Sequence, residues 1–284
     1  MSFLRSLLSS KTSLSASASR TFSTSAITKT MQIYPVQARS DNWMYLVVDE
    51  ASKEGAVVDP YDWKKMLKFV KEKGVNVTSL LTTHHHDDHS GGNEQFLENH
   101  PHGSSIKAYA GSFSAGTNTI VKDKSQFELA GGNIKVKSLH TPCHTQDSIC
   151  FFLEDGTGKK AVFTGDTLFQ GGCGRFFEGT AEEMHAALTY LSKLPQDTIV
   201  YNGHEYTAGS AKFGRSVDPD NKDIERLLEL EKNSDGCTTG KSTIADELTW
   251  NVFMRLDAPA VQKATGESEP VKVMAKLREM KNRA

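Results

Sequence analysis

Cysteine is scarce. The 284-residue chain has four, Cys143, Cys150, Cys173 and Cys237, and no Cys-x-x-Cys pair. That excludes a disulfide-framed scaffold and leaves reduced thiols in a reducing compartment as the simple reading. No run of 18 or more apolar residues occurs, so no membrane-spanning helix is expected. An excess of charge is also missing: 33 Lys and Arg face 35 Asp and Glu, for a net charge of −2. A broad nucleic-acid surface would show as a basic excess, so no nucleic-acid partner is expected. What remains, 37% hydrophobic and 24% charged residues, is ordinary for a water-soluble globular protein.

Acids are absent from the first 40 positions; Asp41 is the first. Residues 1–30 are rich in Ser, Thr and Ala and carry Arg5, Lys11, Arg20 and Lys29. Such a segment cannot bury enough apolar surface to fold alone. Basic, Ser-rich and acid-free composition is the pattern of a mitochondrial transit peptide, with "SRTFSTS" as the processing region. The expected location is the mitochondrial matrix. A second start at Met31 would give a cytosolic form.

From Met31 onward, strand-type and helix-type runs alternate. "WMYLVVD" (43–49) and "GAVVDP" (55–60) read as adjacent strands, and "NVTSLLTT" (76–83) as a short buried strand. Further strands are predicted at 106–110, 133–139, 148–153, 160–164 and 197–201. Helical spacing marks 62–74, "GGNEQFLENH", 180–195, 220–233 and the C-terminal "VKVMAKLREMKNRA". The stretch 233–243 reads as a polar loop, and there is no internal repeat. The pattern predicts an α/β chain of two packed sheets with helices outside, to about residue 205, followed by a smaller helical region, 206–284.

One segment stands out. "LLTTHHHDDHSGGN" places four histidines and two aspartates in six consecutive positions, 84–89. Such groups repel or strain one another unless something binds them. Residues two apart at a strand end point the same way, so His84 and His86 can share one metal. Asp88 and His89 lie further along, where the loop turns toward a second. His85 and Asp87 should point away. Three later strand ends can complete the set: His144 in "TPCHTQDS", Asp166 in "VFTGDTLF" and His204 in "VYNGHEYT". Any one of them alone reads as a turn or surface residue; four ligand-rich strand ends in this order do not. His84, His86 and His144 would hold the first ion, and Asp88, His89 and His204 the second. Asp166 could bridge, since each of its oxygens can take one metal. Imidazole and carboxylate suit Zn, Fe or Mn. Two divalent ions, zinc first, would acidify a bridging water and polarise a carbonyl, which is hydrolysis without a Ser or Cys nucleophile.

The order T-H-x-H-x-D-H, His, Gly-Asp, Gly-His resembles the metallo-β-lactamase superfamily, an αββα sandwich with its metals at one edge. "TPCHTQDSICF", "FTGDTLFQGGCGRFFEGTAEEM", "YNGHEYT", "SVDPDN" and "TWNVFMR" are similar to glyoxalase II, the hydroxyacylglutathione hydrolases, from about residue 31 to the C-terminus. The resemblance implies a catalytic domain over 31–205 and a substrate-binding helical domain over 206–284. It implies hydrolysis of S-D-lactoylglutathione and related 2-hydroxyacyl thioesters to glutathione and D-lactate, in methylglyoxal detoxification, by a monomer. It implies that Asp88 and Asp166 hold metal and orient the attacking hydroxide. Glutathione would be held by Arg175, Phe177, Tyr206 and the R-x-x-K pair Arg278 and Lys281, which lie three apart on one helix face. The chain departs from the family pattern at Asp87, where Trp is frequent, at Phe177, where some members have Tyr, and at Val252, where Pro is common; His140 is an extra imidazole near His144. Within the superfamily the alternatives are a one-iron persulfide dioxygenase and an RNA-processing nuclease. The former generally lacks the C-terminal helical region, and the latter would want a basic groove.

Overall fold

The computed structural model describes residues 31–284. The targeting segment expected at 1–30, with its processing region, lies outside the described residues.

The first sheet contains β1 (Met31–Ala38), β2 (Asn42–Asp49), β3 (Glu54–Val58), β4 (Asn76–Leu81), β5 (Lys107–Ala110) and β6 (Thr119–Ile120), in spatial order β1 to β6. Its first three strands are antiparallel neighbours, and β3 to β6 run parallel. The second sheet uses β7 (Gln126–Leu129), β8 (Ile134–His140), β9 (Ile149–Asp155) and β10 (Lys160–Gly165). A small hairpin follows, β11 (Leu168–Phe169) with β12 (Gly172–Cys173), before β13 (Ile199–Asn202) returns to pair parallel with β10. The order of the second sheet is β13-β10-β9-β8-β7.

Alternation along the strands decides the layers. On β2, Tyr45 and Val47 face the second sheet, while Leu46 and Val48 face outward onto helices. All eight β2 residues are buried, so the strand reads as one apolar run rather than an alternating one. On β9, Phe151 and Leu153 enter the space between the sheets, and Cys150 faces the other way.

Helices cover both outer faces. On the first sheet lie α1 (Trp63–Lys73), α2 (Asp87–Ser90) and α3 (Asn93–Asn99). The α1 ends are chemically marked: Asp62 accepts from the Lys65 N–H, and Gly74 closes the helix at φ 63°. Met66 and Val70 are its buried face. On the second sheet lie α4 (Ala181–Leu191) and the C-terminal helices α5 (Thr207–Val217), α6 (Lys222–Lys232), α7 (Ile244–Trp250), α8 (Pro259–Thr265) and α9 (Pro270–Arg283). Thr180 and Glu183 form a reciprocal capping box that starts α4. The helix ends at Leu191, four residues before the predicted limit, and turns follow up to Pro195. Among the described residues no helix is long and apolar enough to cross a membrane.

The C-terminal helices share one core with the second sheet. Val162, Val200 and Leu139 meet Phe213, Leu227, Phe253, Met274 and Leu277 there. The 233–243 stretch is irregular, as its composition predicts, but Thr238, Thr239 and Ser242 are buried. The two threonine hydroxyls are satisfied internally: Thr238 donates to Glu205 at 2.6 Å, and Thr239 meets the Tyr45 hydroxyl at 2.7 Å.

Candidate metal centre and substrate cavity

The ligand-type side chains converge where the ends of β4, β10 and β13 meet the β8–β9 turn. His84 and His86 follow β4, Asp88 and His89 stand on α2, His144 lies in the β8–β9 turn, Asp166 directly follows β10 and His204 follows β13. The expectation that Asp88 and His89 belong to a loop is corrected: residues 87–90 form a helical turn with both aspartates at its N-terminus, where the backbone dipole favours negative charge. The two sheets are joined beside the cluster by the Ile149 N–H donating to the Thr83 carbonyl at 2.8 Å.

Two glycines make the closure possible. Gly165 has φ +47°, and a Cβ there would also strike the Thr83 hydroxyl oxygen at 2.6 Å. A Cβ on Gly203 would sit 2.3 Å from Asp166 Oδ1 and 2.7 Å from the His89 ring.

His84 Nε2 and His144 Nε2 lie 3.1 and 3.0 Å from His86 Nδ1. His204 Nε2 lies 3.3 Å from His89 Nε2 and 3.5 Å from Asp88 Oδ2. Asp166 reaches both groups, with Oδ2 3.4 Å from His144 Nε2 and 3.3 Å from His204 Nε2. Three overlapping sets could each hold an ion: His84, His86 and His144; His84, His89 and Asp166; Asp88, His89 and His204.

The donor set suits divalent cations on two grounds. Asp166 Oδ1 is buried without a hydrogen-bond partner, a costly position that an ion would relieve. The outer ring nitrogens fix tautomers that leave the inner ones bare. His144 Nδ1 must donate to the Arg175 carbonyl, 3.0 Å away, which can only accept. The Thr83 hydroxyl donates to Asp59 at 2.7 Å, so His84 Nδ1 donates to the Thr83 oxygen at 3.1 Å. His89 Nδ1 faces Asp59 at 3.0 Å, and His204 Nδ1 faces Asp41 at 3.1 Å. Such outer partners orient metal-binding imidazoles.

Electrostatics follow the same geometry. Burial, then the neighbouring imidazoles, pushes His84 well below its ordinary value despite Asp166; burial also lowers His86 and His144. Burial is the largest influence on His89 and His204 and pulls both down, but Asp166 together with Asp59 raises His89, and Asp166 together with Asp41 and Asp88 brings His204 to about 9. Burial would raise Asp166, yet His89 and His204 hold it well below the carboxylate range.

Asp41, Asp59, Thr83 and Asn42 were not singled out from the sequence as site residues. Asn42 donates to Asp88 Oδ2 at 3.0 Å and thereby fixes a candidate ligand. Asp59 directly follows a buried apolar strand and precedes Pro60, the one local signal that could have marked it. Its φ of 48° is unusual for a residue other than Gly or Asn.

His85 and Asp87 lie outside the cluster. His85 Nδ1 is 2.8 Å from Asp147 Oδ1, and Asp87 meets Arg39 at 3.3 Å, which offsets the extra negative charge. His140 turns to the Gln146 carbonyl at 2.9 Å, and Val252 is buried in the C-terminal core.

A cavity of about 540 Å³ opens from His144 and Asp166 and runs to the C-terminal helix. All five residues expected to hold substrate line it: Arg175, Phe177, Tyr206, Arg278 and Lys281. Phe177 is 61% exposed and sets its ring edge-on to His86 and His144. Tyr206 stacks flat on His204 with ring centres 4.7 Å apart. Burial, then the charges of Asp41 and Asp166, lifts its phenol to about 12, so it remains a donor. Arg278 is only 8% exposed and donates to the Cys173 carbonyl at 3.0 Å. Lys281 donates to the Gly209 carbonyl at 2.7 Å. Among the described residues no carboxylate lies within ion-pair distance of Arg175, Arg278 or Lys281. Burial, reinforced by Arg278, lowers Lys281, and burial lowers Arg278. An anion entering the cavity would relieve both.

Sandwich and site together define a class, and residues 39–204 match the profile of the metallo-beta-lactamase superfamily. Residues 205–284 match the profile described as hydroxyacylglutathione hydrolase C-terminus. The chain belongs to the hydroxyacylglutathione hydrolases of that superfamily. It is 45% identical over 257 residues to the probable hydroxyacylglutathione hydrolase glo2 of Schizosaccharomyces pombe, covering 89% of this chain and 97% of the relative. It is 40% identical over 258 residues to the cytoplasmic hydroxyacylglutathione hydrolase of Arabidopsis thaliana, covering 89% and 98%. Among solved structures, a metallo-beta-lactamase from Staphylococcus aureus matches with a TM-score of 0.60 at 21% identity, over 89% of this chain and 72% of that one. At that identity the likeness concerns the fold alone. ETHE1 from Myxococcus xanthus matches with a TM-score of 0.54 at 26% identity, over 87% of this chain and all of that one.

Proposed function

We propose that this chain hydrolyses S-2-hydroxyacylglutathione thioesters, S-D-lactoylglutathione among them, releasing glutathione and the 2-hydroxy acid. The observation that carries this is one continuous cavity with the His and Asp cluster at one end and unpaired cations at the other. Glutathione has two carboxylates and a net negative charge, which suits those cations.

In this reading His84, His86 and His144 would hold one divalent cation and Asp88, His89 and His204 a second, with Asp166 in reach of both groups. Zinc comes first, with iron or manganese as alternatives accepted by the same ligands. Bound there, the cations polarise the thioester carbonyl and lower the pKa of water. Asp166 and Asp88 act as ligands that orient the attacking oxygen, and their depressed proton affinity fits that role better than service as free bases. Tyr206 offers its hydroxyl to the glutathione backbone, and Arg175 supplies positive charge beside the reacting end. Lys281 and Arg278 take the glycine carboxylate at the far end. Phe177 covers the side of the cluster nearest His86 and His144. Attack on the carbonyl carbon breaks the C–S bond, and the thiolate leaves readily because a thiol is far more acidic than an alcohol.

Thiol release from glutathione thioesters by the purified, metal-loaded protein tests the reading, with elemental analysis beside it. Lys281→Ala should raise KM and leave kcat near wild type, because it removes binding remote from the reacting bond. Arg278→Ala should also raise KM and should destabilise the Cys173–Gly174 backbone that it supports. A metal-loaded protein inert toward every glutathione thioester would overturn the assignment. The mitochondrial reading of residues 1–30 is a separate proposal supported by composition; an intact N-terminus at Met1 in protein from fractionated cells would end it.

A further inference from the structure

His85 stands between two candidate ligands in the sequence, yet its side chain leaves the cluster and meets two carboxylates. Nδ1 is 2.8 Å from Asp147 Oδ1, and Nε2 is 3.2 Å from Glu178 Oε1. The two acids belong to different segments. Asp147 lies three residues past His144 in the β8–β9 turn, and Glu178 directly follows Phe177 between β12 and α4. Each acid is braced from behind. The Ser112 hydroxyl donates to Asp147 Oδ2 at 2.7 Å, and the Gln146 N–H donates to Glu178 Oε2 at 2.6 Å. One imidazole therefore joins the ligand turn, the His144 turn and the segment that carries Arg175 and Phe177.

These three segments are not equally dependent on the junction. The ligand turn is fixed independently, because the Ser90 hydroxyl bonds the carbonyls of His85 and His86 at 2.8 and 3.2 Å. The His144 turn is tied into the sheets by Thr141 N–H to Ser148 O at 2.9 Å. Residues 174–179 are irregular backbone, and Phe177 and Arg175 project from them into the cavity. Elsewhere the segment is held by the Glu178 N–H donating to the Cys143 carbonyl at 3.3 Å, by Gln146 Nε2 donating to the Glu178 carbonyl at 3.1 Å and by His144 Nδ1 at the Arg175 carbonyl. Loss of the junction should therefore loosen the Phe177–Glu178 end of the segment and leave the ligands where they are.

We propose that His85 is a positioning residue which, through Glu178 and Asp147, holds the Arg175–Phe177 segment against the cluster and so sets how tightly the acyl end of the thioester is held. This rests on the hydrolase reading above and adds a residue whose side chain hydrogen-bonds no candidate ligand, though its ring meets that of His86 edge-on at 5.2 Å.

The test uses the full chain with His85→Ala, Glu178→Ala, the double variant and Glu178→Gln. Metal content, kcat and KM for two thioesters of different acyl size, and amide hydrogen exchange across 174–179 are measured for each. Both single alanine variants should raise KM about two- to fivefold, the range of a partly exposed side-chain contact to a carboxylate. Metal content and kcat should stay at wild type, exchange in 174–179 should quicken, and preference between the two acyl groups should flatten. The double variant should cost less than the sum of the two single ones, since the His85–Glu178 contact is lost in both, while Glu178→Ala alone also loses the Gln146 N–H bond and His85→Ala alone the Asp147 contact. Glu178→Gln, which keeps an acceptor, should recover part of the loss. Wild-type exchange and KM in both single variants would overturn the proposal. So would penalties that add in the double variant, or metal loss in step with KM. If wild type hydrolyses no glutathione thioester, the function fails, while the exchange measurement still decides whether His85 holds the segment.

Discussion

His84 and His144 are supported from behind by neutral groups, a hydroxyl and a backbone carbonyl, whereas His89 and His204 are supported by the carboxylates Asp59 and Asp41. These four imidazoles turn the same atom, Nε2, inward, and the second group adds the Asp88 carboxylate. The contrast shows in proton affinity: burial depresses the imidazoles of the first group, while nearby acid charge raises those of the second. An anionic partner makes an imidazole a stronger base and a stronger ligand. A chelator titrated into the loaded protein should therefore strip the His84–His86–His144 ion before the other.

The comparison can be broken or sharpened by substitution. Asp166→Ala is the severest, because it removes the one carboxylate shared by both groups. Both ions and nearly all thioesterase rate should be lost together, by more than the roughly 10- to 100-fold that loss of an outer partner costs. Retention of one full equivalent of metal by elemental analysis would contradict a shared carboxylate.

Glu247→Gln comes next and clears a pH-dependent background from the comparison. Glu247 is fully buried, accepts from the Gly171 N–H at 2.8 Å, and burial lifts its carboxyl to about 7 from 4.5. The folded state therefore binds this proton more tightly than the unfolded chain. Its contribution is complete below about pH 4.5, falls as the pH rises and is gone above about 7. The swing is roughly 3 kcal/mol. Denaturant titrations from pH 4.5 to 8 should show that decline in wild type and a flatter profile in Glu247→Gln.

Asp59→Asn should weaken ion binding at the second group by about 10- to 100-fold. The first group should suffer less, because Asp59 reaches His84 only through the Thr83 hydroxyl. Asn also tolerates the positive φ, so the backbone should hold. Equal losses in both groups would remove the distinction drawn between them. Asp41→Asn should be mildest, near the tenfold end of that range, because Asp41 is partly exposed and solvent screens its charge. Competition against a metal-sensitive dye would rank the variants.

Much of the sandwich was legible in the sequence because its central strands are long enough to show their burial, as in Trp43–Asp49 and Ile149–Asp155. The candidate ligands were legible because four strand ends carry His or Asp in a fixed order. Asp41 and Asp59 were not, since an isolated acid acquires meaning only from a partner 163 or 30 residues away. β6, β11 and β12 have two residues each, too few for any period. Helix α5, "TAGSAKFGRSV", is rich in small residues with weak helical preference and is fixed by its buried face, Phe213 and Val217 included. The 233–243 loop looked solvated because hydroxyls look solvated; here those of Thr238 and Thr239 turn inward to Glu205 and Tyr45. The extent of α4 was overestimated because "SKLP" continues a plausible helical spacing after Leu191.

Arg278 reaches across from the last helix to the backbone at Cys173 and Gly174, so one side chain belongs to both regions that the family profiles separate. A chimaera that took its sandwich from one relative and its tail from another would have to match at this joint before it could bind anything. Redesign of acyl preference is accordingly safer at Phe177, which lies beside the cluster and whose side chain holds up no strand.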